Sequence, residues 1–173
     1  MLVRERRTSD EPQLLEIARL VHEQDGYPLY LPDPDYRTFL LGHESLGAWV
    51  AEDDACVVGQ VALHPHSSSA VMAFAASAFD KPVERLGVVA RLLVHPNRRR
   101  LGAGAQLLDR AAREAVALGL CPILDVVTDL AAAILLYERQ RWIRLGEVTV
   151  TFRGGVTIQE YVYVAPLDIR REF

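Results

Sequence analysis

Residues 89–114 read VARLLVHPNRRRLGAGAQLLDRAARE, and this stretch predicts a strand, a turn and a helix in direct succession. The apolar run Val88–Val94 is interrupted only by Arg91, which is the pattern of a buried strand. The helix that follows is predicted by apolar residues at steps of four and three, namely Leu101, Ala105, Leu108, Ala112 and Ala115. The segment is therefore the first half of a strand–helix–strand unit.

The residues that follow complete this unit. Cys121–Val127 predicts a second buried strand and Leu130–Arg141 a second helix. Strands separated by a crossover helix of this length run parallel. The tail then alternates between apolar and polar residues over Glu147–Phe152 and Gln159–Val164, which predicts two closing antiparallel strands.

The amino-terminal part predicts a different layout. A short strand, Leu2–Arg6, precedes a helix that starts at Ser9-Asp10-Glu11-Pro12 and ends at Gly26. Ala48–Ala51 and Ala55–Leu63 predict a hairpin joined by Glu52-Asp53-Asp54. The weak pattern of His64–Pro82 predicts a loop with one helical turn or so. We therefore expect one α/β (mixed α+β) domain over residues 1–173, with a six- or seven-stranded mixed sheet and helices on both faces.

Composition excludes several classes of protein. Half of the 173 residues are hydrophobic and 24% are charged, which is typical of a globular chain and not of a disordered one. The net charge of −4 argues against nucleic-acid coating. The apolar stretches are too short to cross a bilayer, and the amino terminus has no apolar run behind its arginines, so we expect a cytoplasmic chain without a membrane partner. Cys56 and Cys121 lie in apolar segments without nearby ligands, which predicts buried thiols and no metal site.

The turn before the helix carries the chemical signal. Arg98, Arg99 and Arg100 lie where the helix begins, although cations at this positive end are unfavourable by about 0.3–1 kcal/mol each. Gly102 and Gly104 remove side chains beside the free amides of the first turn. Dipole, amides and guanidiniums together predict a phosphate ligand. A turn with solvated arginines is the structural alternative.

Two other phosphate motifs fit less well. A Walker loop needs Gly-Lys-Ser or Gly-Lys-Thr, and neither is present. A dinucleotide fingerprint needs a third glycine where Leu107 stands, and only Asp125 near the end of the next strand favours it.

The same residues resemble the GCN5-related N-acetyltransferase (GNAT) family. Its phosphate pattern, Gln or Arg, two residues, Gly, one residue, then Gly or Ala, is matched by Arg99-Arg100-Leu101-Gly102-Ala103-Gly104 after the turn Val94-His95-Pro96. Residues 130–142, LAAAILLYERQRW, are similar to the family's later helix. Three positions depart from the pattern: Leu130 replaces a frequent asparagine, Arg141 a glycine and Trp142 a phenylalanine.

The resemblance implies an enzyme that uses acetyl-coenzyme A (acetyl-CoA) to acetylate a primary amine by direct attack in a ternary complex, without a metal. It also implies splayed central parallel strands. The cofactor-binding residues would be Leu92, Leu93, Val94, Arg99, Arg100, Leu101, Gly102, Ala103, Gly104 and Ala105. Tyr137, in the later helix, would donate a proton to the departing thiolate.

Other roles are left open by the sequence. Glu84, His64, His66 and Glu52 stand near strand ends as candidate general bases, but none is assigned as catalytic. The loop with Tyr27, Tyr30, Asp33 and Asp35 would wall the site of the acceptor, a small-molecule or peptide amine, and a homodimer is compatible with the chain. A non-catalytic acyl-CoA-binding regulatory module is the alternative function, since it would keep Arg99 and the glycines without needing Tyr137.

Overall fold

The structure is a computed structural model, and it describes residues 1–29, 35–41, 44–152 and 155–170. The strands are β1 Leu2–Glu5, β2 Gly47–Asp53, β3 Cys56–His64, β4 Leu86–Val94, β5 Cys121–Val127, β6 Ile143–Thr151 and β7 Thr157–Val164. The helices are α1 Glu11–Asp25, α2 Tyr36–Leu41, α3 Ser69–Phe79, α4 Ala103–Ala117, α5 Ala131–Arg139 and α6 Leu167–Arg170. Strands and helices alternate from β3 to β6.

The strands form one mixed sheet in the order β1-β2-β3-β4-β5-β7-β6. β4 and β5 run parallel, whereas β5–β7 and β6–β7 are antiparallel, as are β1–β2 and β2–β3. The parallel ladder extends only from Leu86 beside Cys121 to Val88 beside Ile123, although both strands continue beyond it. The predicted mixed sheet of six or seven strands with splayed central strands is therefore confirmed, with seven strands.

The chain forms two compact units, of which the first comprises Met1–Leu63 and Arg91–Ala111. Its core contains the apolar face of α1, with Leu14, Ile17, Ala18 and Val21 at helical spacing. The predicted end of α1 is confirmed, because Gly26 takes a φ of 71° and its N–H donates to the carbonyl of His22 at 2.9 Å.

The second unit comprises His64–Ala90 and Ala112–Phe173. Here the predicted loop with a single helical turn is wrong, because Ser69–Phe79 forms the eleven-residue helix α3. Its sequence, SAVMAFAASAF, contains no charged residue and has no polar face, so it shows no helical period to detect. The Ser68 hydroxyl accepts from the Val71 N–H at 3.3 Å and caps the start, and Asp80 ends the helix in a left-handed conformation.

α3 covers one face of the sheet in this unit. Val71, Met72 and Ala75 of the helix join a core cluster with strand residues Leu86, Val88, Cys121, Ile123, Val150, Val162 and Val164. Each strand contributes alternate residues to this cluster, as period-two geometry requires. We call this side of β5, β6 and β7 the α3 face.

Two further expectations need correction. Cys56 is exposed and not buried, because the turn residues Asp54 and Ala55 take positive φ and leave Cys56 as the first pair beside the hairpin tip. Helix α4 begins at Ala103, so Leu101 precedes it and is 59% exposed.

No helix in the described part of the chain has the length and apolar character needed to cross a membrane.

Candidate functional site

The connection from β4 to α4 starts from an anchored turn. The His95 N–H donates to the carbonyl of Val58 on β3 at 2.8 Å. Pro96–Arg98 then forms one 3-10 turn, and Nδ1 of His95 accepts from the Asn97 N–H at 3.2 Å. These contacts fix where the loop leaves the sheet.

The second half of the loop uses left-handed backbone. Arg100 has a φ of 63° and Gly102 a φ of 91°. Glycine adopts this region freely, whereas a residue with a Cβ loses about 1–2 kcal/mol there. The loop therefore places Gly102 where the backbone needs a glycine, directly before α4.

The first turn of α4 presents free amide groups. The first N–H groups of any α-helix have no intrahelical acceptor, and here they belong to residues 103–105. Ala103 is buried and Gly104 has no side chain, while the first turn contains no acidic residue. The Gln106 N–H closes the turn by donating to the Gly102 carbonyl at 3.1 Å. Such a helix start can bind a phosphate group.

The three arginines of the loop differ in their partners. Arg99 forms a two-pronged ion pair with Asp25, the last residue of α1, and its Nη1 lies 3.2 Å from Oδ1. Arg98 lies 3.7 Å from the carboxylate of Asp53. Arg100 is exposed and has no ion pair with any residue that the structure describes. The guanidinium of Arg99 is thus already paired, and its predicted contact with a phosphate stays a prediction.

The later part of β4 contains a residue in a left-handed backbone conformation. Arg91 has a φ of 56° inside the strand, and its Nη1 donates to the Phe39 carbonyl at 2.6 Å. The Arg91 carbonyl accepts from Nε2 of the fully buried Gln60 at 3.3 Å. After Arg91, residue 93 is buried while residues 92 and 94 are partly exposed.

Gly59 allows β3 to approach this part of β4. A Cβ at Gly59 would lie 2.6 Å from the Leu93 carbonyl oxygen and 3.2 Å from Cδ1 of Leu107. A carbonyl oxygen cannot move away without disturbing the strand. The close approach therefore requires glycine, and it holds β4 and α4 in place around the loop.

Tyr137 lies in the second unit, on α5. It is 8% exposed, and its ring centroid is 5.9 Å from that of Tyr163 and 6.5 Å from that of Trp142. The Tyr163 hydroxyl donates to Oε1 of Glu138 at 3.3 Å. Tyr137 is thus part of an aromatic cluster, and its proposed acid role stays a prediction.

Asp125 and Glu160 form a pair that the sequence analysis did not identify as functional. In the β5–β7 register Asp125 stands opposite Val162 and Val127 opposite Glu160, so both carboxylates lie on the α3 face. Glu160 is only 7% exposed. Burial and then the charge of Asp125 raise the pKa of the Glu160 carboxyl from 4.5 to about 7. The signal available in the sequence was a glutamate at an inward position of an alternating strand.

The earlier base candidates occupy other environments. Glu52 is in an ion pair with Arg4, 2.7 Å from its Nη2. Glu84 and His66 are exposed, and His64 is buried at the end of β3. None of the four is shown in contact with the β4–α4 loop.

The expected acceptor loop is described only in part. The Tyr27 ring packs edge-on against Phe39 at 5.7 Å. Asp35 caps α2 by accepting from the Thr38 N–H at 2.9 Å, and hydrogen bonds from Thr38 lower the pKa of the Asp35 carboxyl. Tyr30 and Asp33 lie outside the described residues. Within the described ranges, no group of three or more His, Cys, Asp or Glu residues is arranged to hold a metal ion.

Solved structures share this fold. An N-acetyltransferase from Staphylococcus aureus Mu50 aligns with a TM-score of 0.69 at 19% identity, covering 96% of this chain and 98% of that chain. A ribosomal-protein-alanine N-acetyltransferase from Brucella melitensis aligns at 0.67 and 22% identity, covering 95% and 98%. A putative acetyltransferase from Salmonella typhimurium, solved with its cofactor acetyl-CoA, aligns at 0.65 and 19% identity, covering 97% and 94%.

Sequence comparison gives a more specific result. No curated protein matches the sequence. Residues 12–141, however, match the model of the Acetyltransferase (GNAT) family, and this range contains β4, the loop, α4 and Tyr137. The chain therefore belongs to the GNAT family of acetyltransferases.

Proposed function

We propose that this chain transfers the acetyl group of acetyl-CoA to a primary amine. The observation that carries the proposal is the β4–α4 connection, where left-handed residues lead into a helix start with free amides inside the range that matches the family. This arrangement suits a pyrophosphate group, which acetyl-CoA supplies. The proposal includes the expectation that residues 1–173 act as one catalytic domain.

In this proposal the backbone does most of the phosphate binding. The amides of residues 102–105 donate to the pyrophosphate, and the exposed Arg100 adds a cation. Arg99 contributes by shaping the loop, because its Nε donates to the Val94 carbonyl at 3.3 Å while Asp25 orients its guanidinium. Leu92 and Val94 would present backbone groups to the pantetheine amides.

Direct attack by the amine agrees with where the cysteines lie. Cys121 is buried in the apolar cluster beneath α3, and Cys56 is exposed at the hairpin. We therefore assign neither thiol the role of an acyl carrier. The amine nitrogen would attack the thioester carbon, the C–S bond would break, and the Tyr137 hydroxyl would protonate the thiolate.

The acceptor is proposed only as a class, a small-molecule or peptide amine. Two of the similar structures are of ribosomal-protein-alanine N-acetyltransferases, from Brucella melitensis and Escherichia coli. A peptide beginning with alanine is therefore a sensible probe, beside spermidine and a free amino acid. A cytoplasmic site of action and a homodimer stay predictions.

Two measurements test the proposal. Calorimetry should show acetyl-CoA binding that is strongly weakened in Gly104→Val, because the new side chain blocks the approach of phosphate to the first turn. A thiol-release assay with the three probe amines should then show turnover. Binding without turnover with any amine would favour a non-catalytic acyl-CoA-binding module, and unchanged binding in a folded Gly104→Val would refute the site.

A further inference from the structure

We infer that the carboxylate pair Asp125–Glu160 receives the acceptor amine, with Glu160 as the general base. This assignment rests on the proposed function. It supplies the base that was missing from the sequence-derived site residues.

The first argument is the state of Glu160. It is 7% exposed, and the charged group that acts on its carboxyl is the carboxylate of Asp125. Its flanking residues on the α3 face, Ile158 and Val162, belong to the apolar cluster or pack against it. A buried carboxylate beside a second carboxylate is costly for stability, and such groups are concentrated at functional sites.

The second argument is the charge around Glu160. On β5 the charged group facing it is Asp125, and on β6 its direct partner is Val148. Helix α3, which packs on this face, has no titratable side chain; His66 precedes it and Asp80 and Lys81 follow it. Two carboxylates that are held together attract an ammonium group and favour one shared proton.

The third argument is position. Asp125 lies on β5 beyond Ile123, where the ladder with β4 has ended. In sheets of this kind, ligands bind at the carboxyl ends of parallel strands where neighbouring strands diverge. Asp125 therefore stands past the end of the β4–β5 ladder, and Glu160 lies on β7, the next strand.

The reaction balances with these groups. Glu160 takes one proton from the ammonium group R–NH3+, and the free amine forms the C–N bond with the thioester carbon. The C–S bond breaks, and the thiolate takes a proton from the acid, which is Tyr137 in this proposal. The second proton on nitrogen leaves to solvent. Glu160 then releases its proton to solvent and Tyr137 takes one up, which returns both groups to their starting states. The sum is R–NH3+ and acetyl-CoA giving the amide, coenzyme A and one proton.

The test uses the full chain, acetyl-CoA and whichever of the three probe amines the wild type acetylates fastest. Glu160→Gln should lower kcat about a hundredfold or more, with the KM for acetyl-CoA nearly unchanged. Glu147→Gln is the matched control, because Glu147 is exposed on β6 opposite Tyr161 and should leave activity unchanged.

The pH profile separates catalysis from structure. The wild-type kcat/KM for the amine should rise with a limb near pH 7 that is lost in Glu160→Gln. Asp125→Asn removes the neighbouring charge and should move this limb to lower pH. Full kcat with an unchanged limb in Glu160→Gln, or an unmoved limb in an active Asp125→Asn, would overturn the assignment and leave the proposed function intact. A wild type that releases no thiol with any amine would overturn both.

Discussion

Replacing Glu160 by glutamine should make the protein more stable, and increasingly so as the pH rises. The pKa of this carboxyl is about 7 in the folded chain, against 4.5 when exposed. The folded state therefore holds the proton more tightly than the unfolded state. A raised pKa of this kind contributes stability that is fully present below pH 4.5 and is lost as the pH rises through 7.

The size of the effect follows from these two values. The ionisation penalty is about 1 kcal/mol at pH 5 and about 3 kcal/mol at pH 8, because each pKa unit corresponds to about 1.4 kcal/mol. Glutamine never ionises, so the stability difference between variant and wild type should grow by about 2 kcal/mol over this range. Any constant cost of the amide cancels in that growth.

Urea unfolding of wild type and Glu160→Gln at pH 5, 6, 7 and 8 measures this difference. The exposed Glu147→Gln serves as the control and should track the wild type at every pH. A Glu160→Gln difference that stays constant between pH 5 and 8 would show that Glu160 titrates as an ordinary surface carboxylate, which refutes the reasoning about its environment.

Four further predictions concern the β4–α4 loop, the proposed acid Tyr137 and the left-handed residue Arg141. Calorimetry should show that Gly104→Val weakens acetyl-CoA binding about tenfold or more, while the circular dichroism spectrum stays unchanged. Equal affinity would refute phosphate binding at the start of α4. Arg99→Glu should weaken that binding more than Arg19→Glu, since both arginines are ion-paired but only Arg99 belongs to the loop. Equal losses would mean that net charge alone matters. General acid catalysis contributes about a hundred- to ten-thousandfold, and Tyr137→Phe should lower kcat by an amount near the smaller end of this range, with little change in KM. The control Tyr161→Phe should leave kcat unchanged. If Tyr137→Phe keeps full kcat across the pH range, Tyr137 is a packing residue. Arg141→Gly should stabilise the chain by up to about 1 kcal/mol, because Arg141 has a φ of 61°, which glycine adopts without strain. The lost ion pair with Asp168 is exposed and contributes little to stability. Lower stability of the variant in thermal unfolding would contradict this prediction.

The sequence could predict elements whose residues show a clear period. The buried strand β5 was predicted at Cys121–Val127, where the structure has it, because a short apolar run between turn residues admits few alternatives. Helix α3 was missed for the opposite reason. Its alanines, serines and large apolar residues occur on all sides, so only the capping Ser68 marked its start.

Contacts between distant parts of the chain could not be predicted in the same way. Asp25 and Arg99 are 74 positions apart, and nothing in either local pattern indicates that they meet. The sequence pattern predicts Arg99 near the start of a helix, and from the pattern alone its guanidinium would be available to a phosphate. Because Asp25 already pairs with that charge, we expect phosphate binding by the loop to depend more on the backbone amides than the three consecutive arginines suggest.

The carboxylate pair shows that the alternation of a strand also determines which of its polar residues face inward. In TIQEYVYV the residues Ile158, Val162 and Val164 share one face, and the parity of the strand puts Glu160 among them. Tyr163 faces the other way and meets Tyr137, so β7 directs a carboxylate to one face and supports the proposed acid on the other. Asp125 follows Cys121 and Ile123 on the α3 face by the same parity. Two polar residues at inward positions of neighbouring strands are too costly to be explained by packing alone, and that cost is the physical reason for testing them as a site.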